Sequence, residues 1–378
     1  MPDPDALTAS CQLLELLAAR IAEAGGLISF AEYMNLALYA PGLGYYAGGA
    51  TKLGKDGDFT TAPEISPLFG GALARIIAPL LEQSAPAIIE FGAGSGQLAY
   101  DILHGLQQQG IALPDYAILE LSAELRARQQ QKLAGLPVRW LERLPHRFDG
   151  VMLGNEVLDA MPVHLVEKQQ DGGWLELGVG IEAGRLCWRK MALSLALAEQ
   201  IALQIPDIAS LPPAYVTELH PQACAFIRST SELLARGRGA ALWIDYGFAA
   251  HQYYLPQRMR GTLYCHYRHH AHDEPFFLPG LQDITAHVEF SSLAKIAEDA
   301  GLDVLSYSNQ AGFLMEAGIT TLLEALDPAR PAQYLPQAAA AGKLLAAHEM
   351  GELFKVLLLG RHVTLPPGWG RIARQAAL

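Results

Sequence analysis

Charge is scarce in this 378-residue sequence: Asp, Glu, Lys and Arg make up 17% of it, against about 25% in a typical soluble domain. Hydrophobic residues make up 51%, which excludes a disordered chain and allows a large core. Basic residues are the scarcer sign, 27 Lys and Arg against 39 Asp and Glu, for a formal charge of −12. That balance argues against a nucleic-acid partner, because phosphate contacts need clustered Lys and Arg. It allows a basic substrate, although solubility explains an acidic surface equally well. No Cys-x-x-Cys pair occurs; Cys11, Cys187, Cys224 and Cys265 are scattered, as in a reducing compartment rather than a disulfide framework. No apolar run reaches the ~18 residues of a membrane helix; the stretch 191–205, for one, is broken by Ser194, Glu199 and Gln200. The opening Met1-Pro-Asp-Pro-Asp is acidic where a secretory or transit peptide is basic. The expected location is therefore the cytoplasm, without membrane insertion.

The sequence has no internal repeat, and its length suggests about two domain-equivalents or one large α/β domain with insertions. Residues 1–85 read as a helical extension with a loop-rich middle. Residues 7–24 have helical apolar spacing, with Thr8 as N-cap and Gly25-Gly26 as the stop. From Ala40 to Ser66, glycines and prolines break the pattern, while Tyr45, Tyr46, Phe59 and Ile65 favour an ordered, functional loop. From Pro86 onward strands and helices alternate, with strands at 87–91, 116–121, 138–141, 150–154 and 240–245, the pattern of a parallel sheet with right-handed crossovers. Residues 86–378 then form one domain, with an inserted cap at about 163–238 that includes a hairpin across Gly184. The last strands, 304–308 and 354–359, can add antiparallel edges.

The most informative segment is Glu90-Phe-Gly92-Ala93-Gly94-Ser-Gly96. Glycines directly after a strand let the backbone turn tightly and approach a ligand beside the positive end of the next helix. A dinucleotide fingerprint needs its third glycine at position 97, which is Gln97; this counts against a nicotinamide-dependent oxidoreductase. Glycine at every second position after an acid resembles the turn of class I S-adenosylmethionine methyltransferases, in which Glu90 faces the methionine end of the cofactor. Glu120, at the end of the second strand, can accept two ribose hydroxyls. The fourth strand leads into Gly154-Asn155-Glu156-Val-Leu-Asp159, which a doubly wound sheet places at the same crevice. Methyl transfer depends on proximity and orientation. A carboxylate can align a nitrogen acceptor and take its proton; Glu156 is the candidate, with Asp159 one turn on as orienter.

These residues resemble the MidA-type methyltransferases, a family that includes the mitochondrial complex I assembly-factor methyltransferase. The similarity extends through Ser29–Met34, Gly44-Tyr45-Tyr46, Gly57–Ser66, Phe91–Gly96, Gly154–Val163, Ile244–Gly247, Asp283–Val288 and Gly351–Lys355. It implies a Rossmann-like class I methyltransferase fold, mostly parallel with an antiparallel edge. It further implies S-adenosyl-L-methionine as cofactor and a protein arginine as acceptor, such as one in a respiratory-complex subunit. It places the Thr61-Ala-Pro63-Glu64 loop over the cofactor, with Thr61, Pro63, Ala93 and Asn155 as contacts and Glu64 as a further catalytic candidate. No metal is expected at Cys265–Asp273, where no second cluster has ligand spacing. Asp283 and His287 are expected on the acceptor side. The rival to an enzyme is an assembly scaffold with a relic cofactor site; intact Gly92, Gly94, Gly96, Glu120 and Glu156 argue against decay.

Overall fold

A computed structural model describes residues 2, 4–48, 60–268, 270–371 and 378. The described chain divides into two compact units. The first comprises residues 1–59, 158–225 and 248–292, and the second residues 60–157, 226–247 and 293–378. The expected 1–85 extension is thus divided between them. Gly57–Phe59 of the family-like string lie outside the described residues.

The second unit is built on strands β1 (Ala87–Phe91), β2 (Asp115–Leu119), β3 (Val138–Leu141), β4 (Gly150–Asn155), β5 (Gly239–Phe248), β6 (Asp303–Asn309) and β7 (Phe354–Arg361). Their order across the sheet is 3-2-1-4-5-7-6. The pairs β1–β2, β1–β4, β2–β3 and β4–β5 are parallel, whereas β7 runs antiparallel to both β5 and β6. This is the expected Rossmann-like sheet with an antiparallel edge. Strand order reverses between β1 and β4, and in such sheets the crevice at the carboxyl ends there is where ligands bind. The central strands are apolar runs, with Ile88, Tyr116, Val151, Leu242 and Leu358 at most 1% exposed, because helices cover both faces. Three helices position the site: α1 (Pro67–Gln83), α2 (Gln97–Gln108) and α3 (Ala123–Lys132). Ser66 caps α1 by accepting from the Leu68 N–H, and Ser122 caps α3 by accepting from the Leu125 N–H.

The first unit carries a five-stranded antiparallel sheet of Leu27–Ser29, His164–Lys168, Trp174–Glu182, Arg185–Ala192 and Val216–Leu219. The hairpin across Gly184 is present, with Trp174–Glu182 paired to Arg185–Ala192. Sequence periodicity did not show that the N-terminal segment lends this sheet a strand, because three residues are too few to display a period. Helix Pro4–Glu23 begins earlier than expected. Thr8 is therefore not its cap: the hydroxyl lies inside the helix and donates to the Pro4 carbonyl at 2.9 Å.

Candidate functional site

The glycine turn is left-handed at each of its glycines: φ is 61° at Gly92, 53° at Gly94 and 81° at Gly96. Side chains rarely adopt such backbone. The glycines do different work. A Cβ on Gly92 would meet the Val157 side chain at 3.2 Å, and one on Gly96 would meet Leu133 at 3.3 Å and Gln129 at 3.5 Å. Gly96 therefore serves the packing of α3 against the turn. Ala93 is buried, and its carbonyl accepts from the Gly96 N–H at 2.7 Å.

Four acids frame this turn within the second unit. Glu90 is 2% exposed and accepts the Tyr116 hydroxyl at 2.9 Å. Burial pushes its pKa up from 4.5 to about 8; the phenol opposes the rise and the Glu120 carboxylate adds to it. Glu120 lies one residue beyond β2, not within it as expected. Its two oxygens accept from the Ser122 N–H and the Gln129 amide, each at 2.9 Å. Leu121, directly after it, is 82% exposed, an apolar surface that a flat ring could cover. Glu64 accepts from the Ser95 hydroxyl, which ties the short helix Ala62–Ile65 to the glycine turn. In that helix Pro63 is buried, and the Thr61 carbonyl accepts from the Glu64 N–H at 3.0 Å.

Glu156, the fourth acid, follows β4 at φ 54°. A left-handed glutamate is uncommon, and residues held so cluster at functional sites. Its backbone N–H donates to the Ile244 carbonyl at 2.9 Å, and its carboxylate accepts from the Asn155 amide at 2.9 Å. The Asn155 amide oxygen is buried with no hydrogen-bond partner among the described residues. An orphaned acceptor of this kind in a native interior calls for a missing donor. Residues 156–161 form bends and turns, so Asp159 does not sit one helical turn on from Glu156 as expected.

Asp159 belongs to the first unit, where it is 5% exposed. There the Tyr46 hydroxyl donates to both oxygens of Asp283, at 3.0 and 3.1 Å. Burial pushes the Tyr46 hydroxyl well above its ordinary pKa, and Asp283 and Asp159 push it further. Tyr46 thus bonds one of the carboxylates that the sequence singled out, and Tyr39 stacks against the Tyr46 ring at 5.5 Å. His287 belongs to the same unit, and the N–H of Ala286 before it donates to the Asp159 carbonyl at 3.1 Å. The His287 ring stacks on Phe248 at 5.4 Å, and its backbone N–H donates to the Thr262 hydroxyl at 3.0 Å. In the histidine-rich segment, Tyr264–Tyr267 pairs with His270–His272; His269 lies outside the described residues. No group of His, Cys, Asp or Glu among the described residues could hold a metal ion.

Residues 72–308 match the family described as "Putative S-adenosyl-L-methionine-dependent methyltransferase". A Burkholderia thailandensis protein solved with S-adenosyl-homocysteine bound is 49% identical over 99% of this chain and 98% of its own, with a TM-score of 0.92. "Protein arginine methyltransferase NDUFAF7, mitochondrial" of Danio rerio is 30% identical over 91% of this chain and 85% of its own length. The Homo sapiens protein of that name is 29% identical over 93% and 84%. These names correct one expectation. The acidic opening residues suggested the cytoplasm, but the curated relatives are named mitochondrial, and the cytoplasmic location does not stand against them.

Proposed function

This chain belongs to the S-adenosyl-L-methionine-dependent methyltransferase family, and we propose that it methylates a nitrogen of a protein, an arginine guanidinium, with Glu156 as the residue that handles the acceptor's proton. The cofactor supplies an electrophilic methyl carbon. The donor set around the turn fits it: left-handed glycines for close backbone approach, Glu120 for the ribose hydroxyls, exposed Leu121 for the base, and the unpartnered Asn155 oxygen for an N–H donor. Glu90, whose pKa burial raises to about 8, gains a reason to ionise beside a cation. Glu64 and Ser95 hold the turn, with Thr61 and Pro63 carrying Glu64.

The observation that carries the proposal is Glu156. A carboxylate at the switch-point end of β4, held left-handed and fixed by Asn155, can orient an acceptor nitrogen and take its proton as the N–C bond forms. The sequence pattern and the family resemblance assign Asp159 and Asp283 to the acceptor side, and carboxylates suit a guanidinium. Arginine as the target is supported by the names of the curated relatives; a respiratory-complex subunit is one protein that could carry it.

Two measurements test the assignment. Labelled S-adenosyl-L-methionine and the purified protein, added to lysate from a strain lacking it, should label arginine in a discrete protein by mass spectrometry; label found on another residue type rejects the arginine acceptor. Glu156→Gln should lower turnover by about 10²–10⁴-fold, the range for a general base, with cofactor affinity kept. Unchanged turnover would remove Glu156 from that role.

A further inference from the structure

One residue at the cofactor turn lies outside both the glycine pattern and the acids. Gln129 is 0% exposed, in the middle of α3. Its Nε2 donates to the Gly94 carbonyl and to Glu120 Oε2, each at 2.9 Å. Its Oε1 accepts from the Trp140 indole N–H at 2.9 Å. A primary amide has two N–H donors, so both are committed, one to each half of the site. The Ser122 N–H takes the other Glu120 oxygen at 2.9 Å.

We propose that Gln129, held by Trp140, is the positioning residue that sets recognition of the cofactor's ribose. The proposal rests on the assignment of Glu120 to the ribose hydroxyls and deepens it. One amide bridges the turn that receives the cofactor's amino-acid end and the acid that receives its sugar, so the spacing between the two is built into the protein before binding. A carboxylate on a strand-to-helix loop would otherwise sample several rotamers. Two N–H donors, one on each oxygen, fix its plane, and a fixed plane is what bidentate acceptance of a diol requires. Leucine at position 129 would fill most of the volume but remove the donor to the Gly94 carbonyl, the acceptor of the Trp140 indole, and one of the two N–H bonds that fix the plane of the Glu120 carboxylate.

The test compares calorimetric affinities for S-adenosyl-L-homocysteine and its 2′-deoxyadenosyl analogue. The ratio between them reads the ribose contact and is blind to general loosening. In the wild type the ratio should be about tenfold or more, the value of a hydrogen bond to a charged group. Glu120→Gln should bring it close to unity; a wild-type ratio in that variant defeats the ribose assignment itself, and the role of Gln129 falls with it. Given a collapsed ratio in Glu120→Gln, Gln129→Leu should bring the ratio within about threefold of unity, by the loss of that same bond. If Gln129→Leu weakens both ligands alike and the ratio persists, Gln129 is only packing and the proposal is overturned. Trp140→Phe keeps the glutamine but removes its anchor and should give an intermediate ratio. Should Gln129→Leu fail to fold, this variant decides, and a wild-type ratio in it overturns the proposal.

Discussion

Glu90 and Glu218 are enclosed carboxylates on strands of different units, 2% and 0% exposed, and burial pushes the pKa of both upward. Their surroundings differ. Glu218 accepts from the Thr262 N–H at 2.6 Å, the Leu263 N–H at 3.0 Å and the Tyr253 hydroxyl at 2.8 Å. The loop that brings those N–H groups depends on Gly261, where a Cβ would lie 2.3 Å from the carboxylate. Glu90 has, among the described residues, the single Tyr116 hydroxyl, and a second acid, Glu120, adds to its burden. A carboxylate with a closed shell of donors is architecture. One with an open shell beside a glycine turn is suited to a cationic ligand.

The contrast can be broken most sharply at Glu218. Glu218→Ala orphans the Thr262 and Leu263 N–H groups, each costing about 1–3 kcal/mol, while the Tyr253 hydroxyl keeps Thr262 Oγ1 and His220 Nε2 at 3.1 Å; it should lower stability by about 4 kcal/mol in urea denaturation. A loss below about 1 kcal/mol would show that the donor shell is replaceable by water. Glu90 should show the opposite pattern, with its effect spread over pH. Its folded pKa of about 8 lies above the unfolded 4.5, so the folded form holds a proton that the unfolded form has lost. The associated stability is fully present below pH 4.5 and is lost as pH rises toward 8. At full expression it amounts to about 5 kcal/mol, and Glu90→Gln should flatten that slope. Binding of the cationic cofactor at pH 7 should release up to about one proton from Glu90. Calorimetry in two buffers of different ionisation enthalpy measures that release. Equal release in Glu90→Gln would mean that Glu90 does not face the cofactor. The smallest expected effect is at Tyr116→Phe. It removes the bond that restrains the rise at Glu90, moves the midpoint of the stability slope to higher pH, and changes stability by about 1 kcal/mol.

The parts of this site that were legible in the sequence are those that local pattern encodes. An apolar run followed by Gly92, Gly94 and Gly96 is a strand and a turn because glycine alone tolerates left-handed backbone without strain. Glu120 was singled out from its expected place at the end of the second strand, although the strand closes at Leu119. Gln129 was missed, yet it left a signal. Leu125, Gln129 and Leu133 recur at four-residue spacing, so the glutamine lies on the apolar stripe of α3. A polar residue on such a stripe must find partners, but nothing local says that they are Gly94, Glu120 and Trp140. Tyr46 was noticed only as a sign of order in its loop. Its bond to Asp283 spans more than two hundred positions, and no periodicity reaches that far.

By itself the sequence determined the central strands, their parallel pairing, and a glycine turn with acids at the ends of the strands beside it. These follow from period, glycine placement and the short connections of an alternating fold. Tertiary structure alone decided that Leu27–Ser29 pairs with Trp174–Glu182, that Tyr46 bonds Asp283, and that Gln129 joins Gly94 to Glu120. Each is a pairing between distant positions, settled when burial removes water and every enclosed donor and acceptor must find a partner within the fold.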